Sequence, residues 1–424
     1  MNHFKLQGGI ILCENVPLPL IASAVGTPLF VYSTATMQRQ TRVLKAALAA
    51  LDDPLIAFAV KANPNAAVLA TLAAEGLGAD VVSGGEYRRA RAAGVPGDKI
   101  VFSGVGKTAA EMALALAGGI YQFNVESLPE AEMLSEVATS MGVAAPIALR
   151  INPDVAAGSH AKISTGSAQT KFGISIASAK AAFTRASQMP GLSVRGVAVH
   201  IGSQLTSLDP FRLAFERLGH LIGDLRAGGH DILTADLGGG LGIPYDPALL
   251  APPSPDEYGA LVHQLAGAWG VRLIFEPGRL LVGNAGVLLT EVIRVKEGAT
   301  HPFVIVDAAM NDLMRPSLYD AWHQIDAVAP NGRSIVADIV GPVCETGDIF
   351  ASAREIDEVV AGDLMIIRTA GAYAATMGST YNSRPLAAEV LVNGSHWAVV
   401  RECLDVEALI RGDVVPDWLQ GSAG

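Results

Sequence analysis

From about residue 55, short apolar runs alternate with amphipathic stretches. The runs are LIAFAV (55–60), ADVV (79–82), KIVFS (99–103), YQFNV (121–125), PIALRI (146–151), VRGVAVH (194–200), ILTADL (232–237) and VRLIFE (271–276). Between most of them lie alanine- and leucine-rich segments with helical spacing, such as NAAVLATLAAEG and LPEAEMLSEVATSMG. Continuous apolar strands separated by helices mark a parallel sheet covered on both faces. Eight such units over roughly 220 residues fit a (β/α)8 TIM-type barrel better than the alternative, an open doubly wound sheet.

The pattern changes after residue 280. GVLLTEVIRVKE, HPFVIVDAA, RSIVADIVG, DLMIIRTA and AAEVLVNGSHWAVVRE are β-branched, separated by turn residues and poor in helical periodicity. They predict a carboxyl-terminal all-β domain, a sandwich or barrel. The amino-terminal QGGIILCENVPLPLIASAVGTPLFVYS is extended and can add a strand to it. The predicted organisation is therefore a segment 1–30 packing with the β domain, a barrel over 31–280 and the β domain over 281–424.

Composition narrows the functional classes. Of 424 residues, 50% are hydrophobic and 17% charged, enough for a large core. A formal net charge of −11 argues against nucleic acid or an anionic membrane as partner. Cys13, Cys344 and Cys403 form no CxxC and no even framework, which fits a reducing compartment. MNHFKLQGG lacks the basic start and apolar run of a signal peptide, and no apolar stretch is long enough to span a bilayer. A cytoplasmic enzyme is the expectation.

In such a barrel the site lies at the carboxyl ends of the strands. The residues there are Lys61, Ser83, Gly104, Glu126, Arg150 with Asn152, His200, Gly238 to Gly240, and Glu276. A lysine ending an apolar strand is partly desolvated, which lowers its amine pKa and makes it a usable nucleophile; a lysine reaching past the strand end to solvent is the alternative. The glycines at 238–240 leave bare amides able to approach a phosphate, or simply make a tight turn. Ser203, in HIGSQ, can add a hydroxyl to that cradle. An imine-forming lysine beside a phosphate cradle suggests pyridoxal 5'-phosphate. Glu276 can then hold the ring nitrogen protonated, and His200 can stack on the ring.

The segments AFAVKAN, DVVSGGE, KFGI, VHIGSQ, LGGGLG, FEPGR, RPSLYDAWHQI, GPVCETGD and GAYAATMGSTYNSRPLAAEVLV together resemble the diaminopimelate decarboxylases, in order and from about residue 30 to 410. The wider group includes ornithine and arginine decarboxylases and alanine racemase. The resemblance implies the cofactor, the barrel with its β domain, and a homodimer whose active sites are shared across the interface. By the same resemblance Lys61 corresponds to the Schiff-base lysine, Glu276 to the ring-nitrogen partner and His200 to the stacking residue. Ser83, Ser203, Gly238, Gly239, Gly240, Gly278, Arg279 and Tyr373 correspond to cofactor contacts. Arg279, Arg315, Tyr319, Glu345 and Tyr373 correspond to substrate contacts, and Cys344 to the proton donor reaching the partner subunit's site.

The implied reaction is decarboxylation of meso-2,6-diaminopimelate at its D-centre to give L-lysine. The far carboxylate of that small amino-acid substrate needs a cation, for which the planar forks of Arg279 and Arg315 are suited. The far ammonium needs an anion, which Glu345 supplies. A decarboxylase of another basic amino acid or of a carboxylated polyamine precursor, an amino-acid racemase, and an inactive regulatory relative are the rival readings. Ala374 and Ala375, and Ala161 with Lys162, depart from the family's pattern. The latter pair lies in the 152–172 segment, whose length predicts a functional loop over the site.

Overall fold

The computed structural model describes residues 2–156, 166 and 171–419. These fall into two compact units. One holds residues 1–3, 33–286 and 369–376; the other holds 4–32, 287–368 and 377–424.

The first unit is a closed barrel. Its strands are β1 (Leu55–Ala59), β2 (Gly78–Val81), β3 (Ile100–Phe102), β4 (Gln122–Val125), β5 (Ala145–Asn152), β6 (Leu192–Ala198), β7 (Thr234–Asp236) and β8 (Arg272–Phe275). Each pairs in parallel with the next, and β8 pairs with β1 to close the ring. All eight apolar runs are therefore strands of one closed sheet, and the open-sheet alternative falls. Helices follow the strands at Ala66–Ala74, Gly84–Ala92, Ala109–Ala117, Leu128–Met141, Ala179–Ser187, Asp209–Ala227 and Pro255–Ala266. After β8 there is only the short helix Arg279–Val282, and the remaining place in the outer layer is taken by Thr34–Ala47, which precedes β1 and packs on Pro255–Ala266.

Local chemistry fixes where these helices begin. Asn65, Ser83, Thr108, Ser127 and Ser254 each accept a backbone N–H of the following first turn. Thr108 with Glu111 and Ser254 with Glu257 close reciprocal capping boxes. The starts of these five helices are thus pinned, while Ala179–Ser187 and Asp209–Ala227 begin without a side-chain cap.

The barrel unit departs from the predicted boundary. Residues 369–376, expected in the β domain, belong with the barrel. Asn63 donates to the Gly371 carbonyl (3.1 Å), and the Tyr373 N–H donates to the Ala62 carbonyl (2.9 Å). These two hydrogen bonds, one from a side-chain amide and one from the backbone, tie the segment to the loop carrying Lys61.

The second unit is built on a mixed sheet. Its order is Ile349–Asp357, Ser334–Val340, Phe303–Val306, Gly286–Lys296, Leu29–Ser33, Ala388–Asn393 and His396–Arg401. Phe303–Val306 runs parallel to Ser334–Val340, while its pairing with Gly286–Lys296 is antiparallel. Phe4–Gln7, Ile10–Cys13 and Val16–Pro17 form a separate small antiparallel sheet. Phe4, Ile11, Cys13, Leu18 and Ile21 join Leu289, Ile366 and Val390 in one apolar core. Burial pushes the Cys13 thiol well up, so that cysteine is an inert core residue.

One buried ion pair braces the strand ends of the barrel. Lys107 Nζ donates to the carbonyls of Gly104 (2.6 Å) and Asn124 (2.8 Å) and to Glu130 Oε1 (2.7 Å), with none of its side chain exposed. Removing one member of a buried pair strands the other charge. Lys107→Met is expected to cost about 3–5 kcal/mol in urea unfolding, and Lys107→Met with Glu130→Gln is expected to recover part of that loss.

Candidate active site

The carboxyl-terminal rim of the barrel opens onto a small cavity of about 50 Å³. Lys61, His200, Ser203, Gly238, Gly239, Gly240, Glu276, Gly278, Arg279 and Tyr373 all line it. Residues spread over 312 positions of sequence thus meet at one opening. Ser83 is not among the lining residues; its hydroxyl accepts the Glu86 N–H as the cap of Gly84–Ala92.

Lys61 sits in a single turn of 3-10 helix directly after β1. Its Nζ donates to Asp80 Oδ2 at 2.9 Å, and 34% of its side chain remains open toward the cavity. The expected depression of the amine does not occur. Burial pulls the Lys61 pKa down, but the charge of Asp80 and the bond to it outweigh burial and carry the pKa above the usual lysine range. Lys61 therefore rests as an ammonium. It becomes a nucleophile only by giving up its proton within this charged cluster.

Behind Lys61 lies a polar network inside the barrel. Ser103 Oγ and Asn124 Nδ2 both donate to Glu276 Oε1, at 3.0 and 3.1 Å. Asn124 Nδ2 also donates to Asp236 Oδ2 at 2.8 Å, and Asp236 Oδ1 accepts the Gly238 N–H at 2.9 Å. Thr234 Oγ1 donates to Gln122 Oε1 at 2.7 Å, extending the network across the lumen. Burial first, then the neighbouring charges of Asp236 and Asp80, push the Glu276 carboxyl well above the ordinary range, with Lys61 pulling the other way. A carboxyl so placed holds a proton until a positive partner arrives.

Asp80, Ser103, Asn124 and Asp236 went unremarked in the sequence because they sit inside runs read as apolar. Gln122 with Asn124, and Thr234 with Asp236, alternate with buried apolar neighbours. That period-two polarity was the available signal of a polar lumen.

The three glycines are required by the approach of the backbone. A Cβ on Gly239 would collide with the Glu276 carbonyl, and one on Gly240 with the Gly202 carbonyl. Gly238 and Gly240 also adopt φ of +68° and +109°. The Gly239 N–H donates to His200 Nδ1 at 3.2 Å, so Nδ1 is an acceptor and the ring is neutral. Burial, then the charges of Arg150 and Lys61, hold His200 well below the usual histidine range, which keeps it so. Arg279 Nη2 donates to Ser203 Oγ at 3.3 Å, and its guanidinium lies 4.8 Å from the Tyr373 ring centroid.

Most of residues 152–172 lie outside the described residues, but the two stems are held. Asn152 Nδ2 donates to the Phe172 carbonyl (3.2 Å) and Glu126 Oε2 accepts the Gly173 N–H (2.8 Å). Glu126 also pairs with Arg150 at 2.6 Å, both nearly buried.

The other predicted residues lie in the second unit. Arg315 and Tyr319 bound the helix Arg315–Tyr319, whose Ser317 Oγ donates to the Gly347 carbonyl at 2.6 Å. That bond ties RPSLY to the turn carrying Cys344 and Glu345. Buried Asp348 holds the same turn, accepting the N–H groups of Met310 (2.6 Å) and Val343 (2.7 Å). Cys344 is exposed, and its N–H donates to Asn382 Oδ1 at 3.0 Å. Tyr381 bonds to Glu345, and that bond, then the Glu345 charge, raises the phenol pKa. Asp348, Tyr381 and Asn382 carried no marking in the sequence.

The site fits pyridoxal phosphate on its own geometry. A cradle that any Cβ would fill, an amine on the cavity wall and a carboxyl of raised pKa behind it match in chemistry what a phosphate, an imine and a ring nitrogen would need. The comparisons agree. The family described as pyridoxal-dependent decarboxylase, pyridoxal binding domain, matches residues 35–283. A diaminopimelate decarboxylase of Zymomonas mobilis is 56% identical over 421 residues, 99% of this chain and 100% of that protein. The crystal structure of diaminopimelate decarboxylase from Helicobacter pylori complexed with L-lysine superimposes with a TM-score of 0.89 at 37% identity, covering 93% of this chain and 98% of that one. The diaminopimelate decarboxylase of M. jannaschii in co-complex with L-lysine gives 0.94 at 35% identity, covering 99% and 100%.

Gly239→Ala is expected to abolish retention of pyridoxal phosphate while leaving the chain folded, read as loss of protein-bound absorbance after gel filtration. Glu276→Gln removes the ionisable partner but keeps the acceptor oxygen. It is expected to retain the bound absorbance and to lower kcat by about 10²-fold or more.

Proposed function

The chain belongs to the pyridoxal-dependent decarboxylases, among the diaminopimelate decarboxylases, and from that premise we propose how its own residues convert meso-2,6-diaminopimelate to L-lysine and CO2. The observation that carries the reading is the convergence of Lys61, Glu276, His200 and the three glycine amides on one cavity.

When bound, pyridoxal phosphate supplies the electron sink that makes loss of a carboxylate next to an amine feasible. Lys61 would hold the cofactor through its amine, which lies on the cavity wall. Its proton is kept nearby by Asp80, 2.9 Å from Nζ. Glu276, reluctant to ionise alone, would be the partner of the ring nitrogen and would help to keep a proton there. His200, neutral and fixed by Gly239, offers a flat face without competing positive charge. Gly238 to Gly240, Ser203, Gly278 and Arg279 hold the phosphate. The bond from the D-centre to its carboxylate breaks, CO2 leaves and the electron pair stays behind. Cys344 then gives its thiol proton to that carbon, and the thiolate regains one from water.

Selectivity is carried by Arg315, which reads the far carboxylate, and by Glu345, which reads the far ammonium. A site arranged for both far charges rejects an amino acid lacking the far carboxylate, which would leave a buried guanidinium unpaired.

The site is shared in a homodimer. Support comes from the exposure of Cys344 on its own unit and from apolar residues left open near the carboxyl end, with Trp418 83% and Val414 85% exposed. Localisation is proposed as cytoplasmic, since Cys13, Cys344 and Cys403 are all free thiols. Among the described residues no helix is long and apolar enough to cross a membrane.

Purified enzyme with pyridoxal phosphate is expected to release CO2 and form lysine from meso-diaminopimelate, with ornithine, arginine and carboxynorspermidine at least about 10³-fold poorer in kcat/KM. Preference for any of those three would overturn the substrate reading. Lys61→Ala and Cys344→Ala are each expected to be nearly inactive, while mixtures allowed to exchange subunits regain activity. Exchange without recovery would sink the shared site.

A further inference from the structure

The motif RPSLYDAWHQI contains a histidine that the proposed mechanism does not use. His323 is fully buried, and its two ring nitrogens face partners that leave it no choice of tautomer. Nδ1 lies 2.8 Å from the Arg368 carbonyl, which can only accept, so Nδ1 carries the hydrogen. Nε2 lies 2.8 Å from Arg315 Nη1, which can only donate, so Nε2 presents its lone pair. Both contacts are satisfied only by the neutral Nδ1–H imidazole.

The surroundings reinforce that state. Arg354 Nη1 donates to the backbone carbonyl of His323 at 2.8 Å, and its guanidinium stacks 4.3 Å from the Trp322 ring centroid. Arg368 is paired with Asp326. The charged group that faces the ring directly is the Arg315 guanidinium, while those of Arg354 and Arg368 are engaged by the His323 backbone carbonyl and by Asp326. Protonating His323 would set a positive charge against Arg315 and remove the acceptor that Arg315 uses.

We infer that His323 is a positioning residue for Arg315, fixing one edge of the guanidinium so that its other donors meet the far carboxylate of the substrate. The inference rests on the reading of Arg315 as the carboxylate reader. Arginine side chains carry much rotamer freedom, and a guanidinium fixed before binding loses less of it on pairing with a carboxylate. The same helix is tied through Ser317 to the Cys344–Glu345 turn, so the orientation is set relative to the other substrate contacts in this unit.

Steady-state kinetics on meso-diaminopimelate test it with a set of variants. His323→Phe keeps the ring volume but removes the lone pair. It is expected to raise KM about tenfold or more while kcat falls less than about threefold and bound cofactor absorbance is unchanged. His323→Gln, whose side-chain oxygen can reach Arg315, is expected to restore KM to within about threefold of the parent. If His323→Phe does not fold, His323→Asn replaces it, since asparagine can serve the Arg368 carbonyl but falls short of Arg315.

Arg315→Ala separates the two levels of the inference. If Arg315→Ala leaves KM unchanged, the carboxylate-reader reading fails and the role of His323 falls with it. If Arg315→Ala raises KM but His323→Phe does not, only the positioning role is overturned. Where both raise it, the double variant Arg315→Ala/His323→Phe is expected to match Arg315→Ala alone; additive losses would mean that His323 acts elsewhere and would overturn the inference.

Discussion

Three carboxyl groups, those of Asp80, Asp236 and Glu276, are buried in the barrel interior around the ammonium of Lys61. Out of water, like charges at this spacing cannot all persist, and each acid must be protonated, paired or hydrogen-bonded. The rest of the barrel mouth follows from that requirement. Asp80 takes the ammonium, Asn124 and Ser103 serve Glu276, and Gly238 supplies an amide to Asp236.

The second unit solves a different problem. Its proposed substrate residues sit on a five-residue helix and an irregular turn, neither of which can hold a side chain by regular hydrogen bonding. Buried Asp348 knits the turn to the Met310 loop, Ser317 joins helix to turn, and Asn382 grips the Cys344 backbone. Asn382 and Ser383 adopt φ of 56° and 55° in doing so, a left-handed conformation kept where the surrounding contacts require it. Precision here comes from a few side-chain hydrogen bonds to backbone groups rather than from the sheet.

Much of this was legible in the chain. Eight apolar runs at helical separation specified a closed barrel, because parallel strands buried on both faces must be continuously apolar and must be joined by crossovers. The strand-end rule then placed Lys61, His200, the three glycines and Glu276 at one rim, since parallel strands all end on the same side. Motifs in RPSLY and GPVCETGD named the residues of the second unit, but said nothing of what holds them.

Tertiary structure decided the rest. The Lys61 amine was expected to be depressed by burial, and burial does act that way; Asp80, 19 positions on, reverses the sign because β1 and β2 lie side by side. Residues 369–376 were assigned by neighbourhood to the β domain and belong to the barrel, because Asn63 and Ala62 offer hydrogen bonds that no local pattern records. His323 read as one more polar letter until Arg315 and the Arg368 carbonyl fixed its two nitrogens. Periodicity and strand polarity are local properties, so the sequence determined the architecture and the rim. Charge state, tautomer and pairing depend on groups brought close only by folding, and only the folded chain decided them.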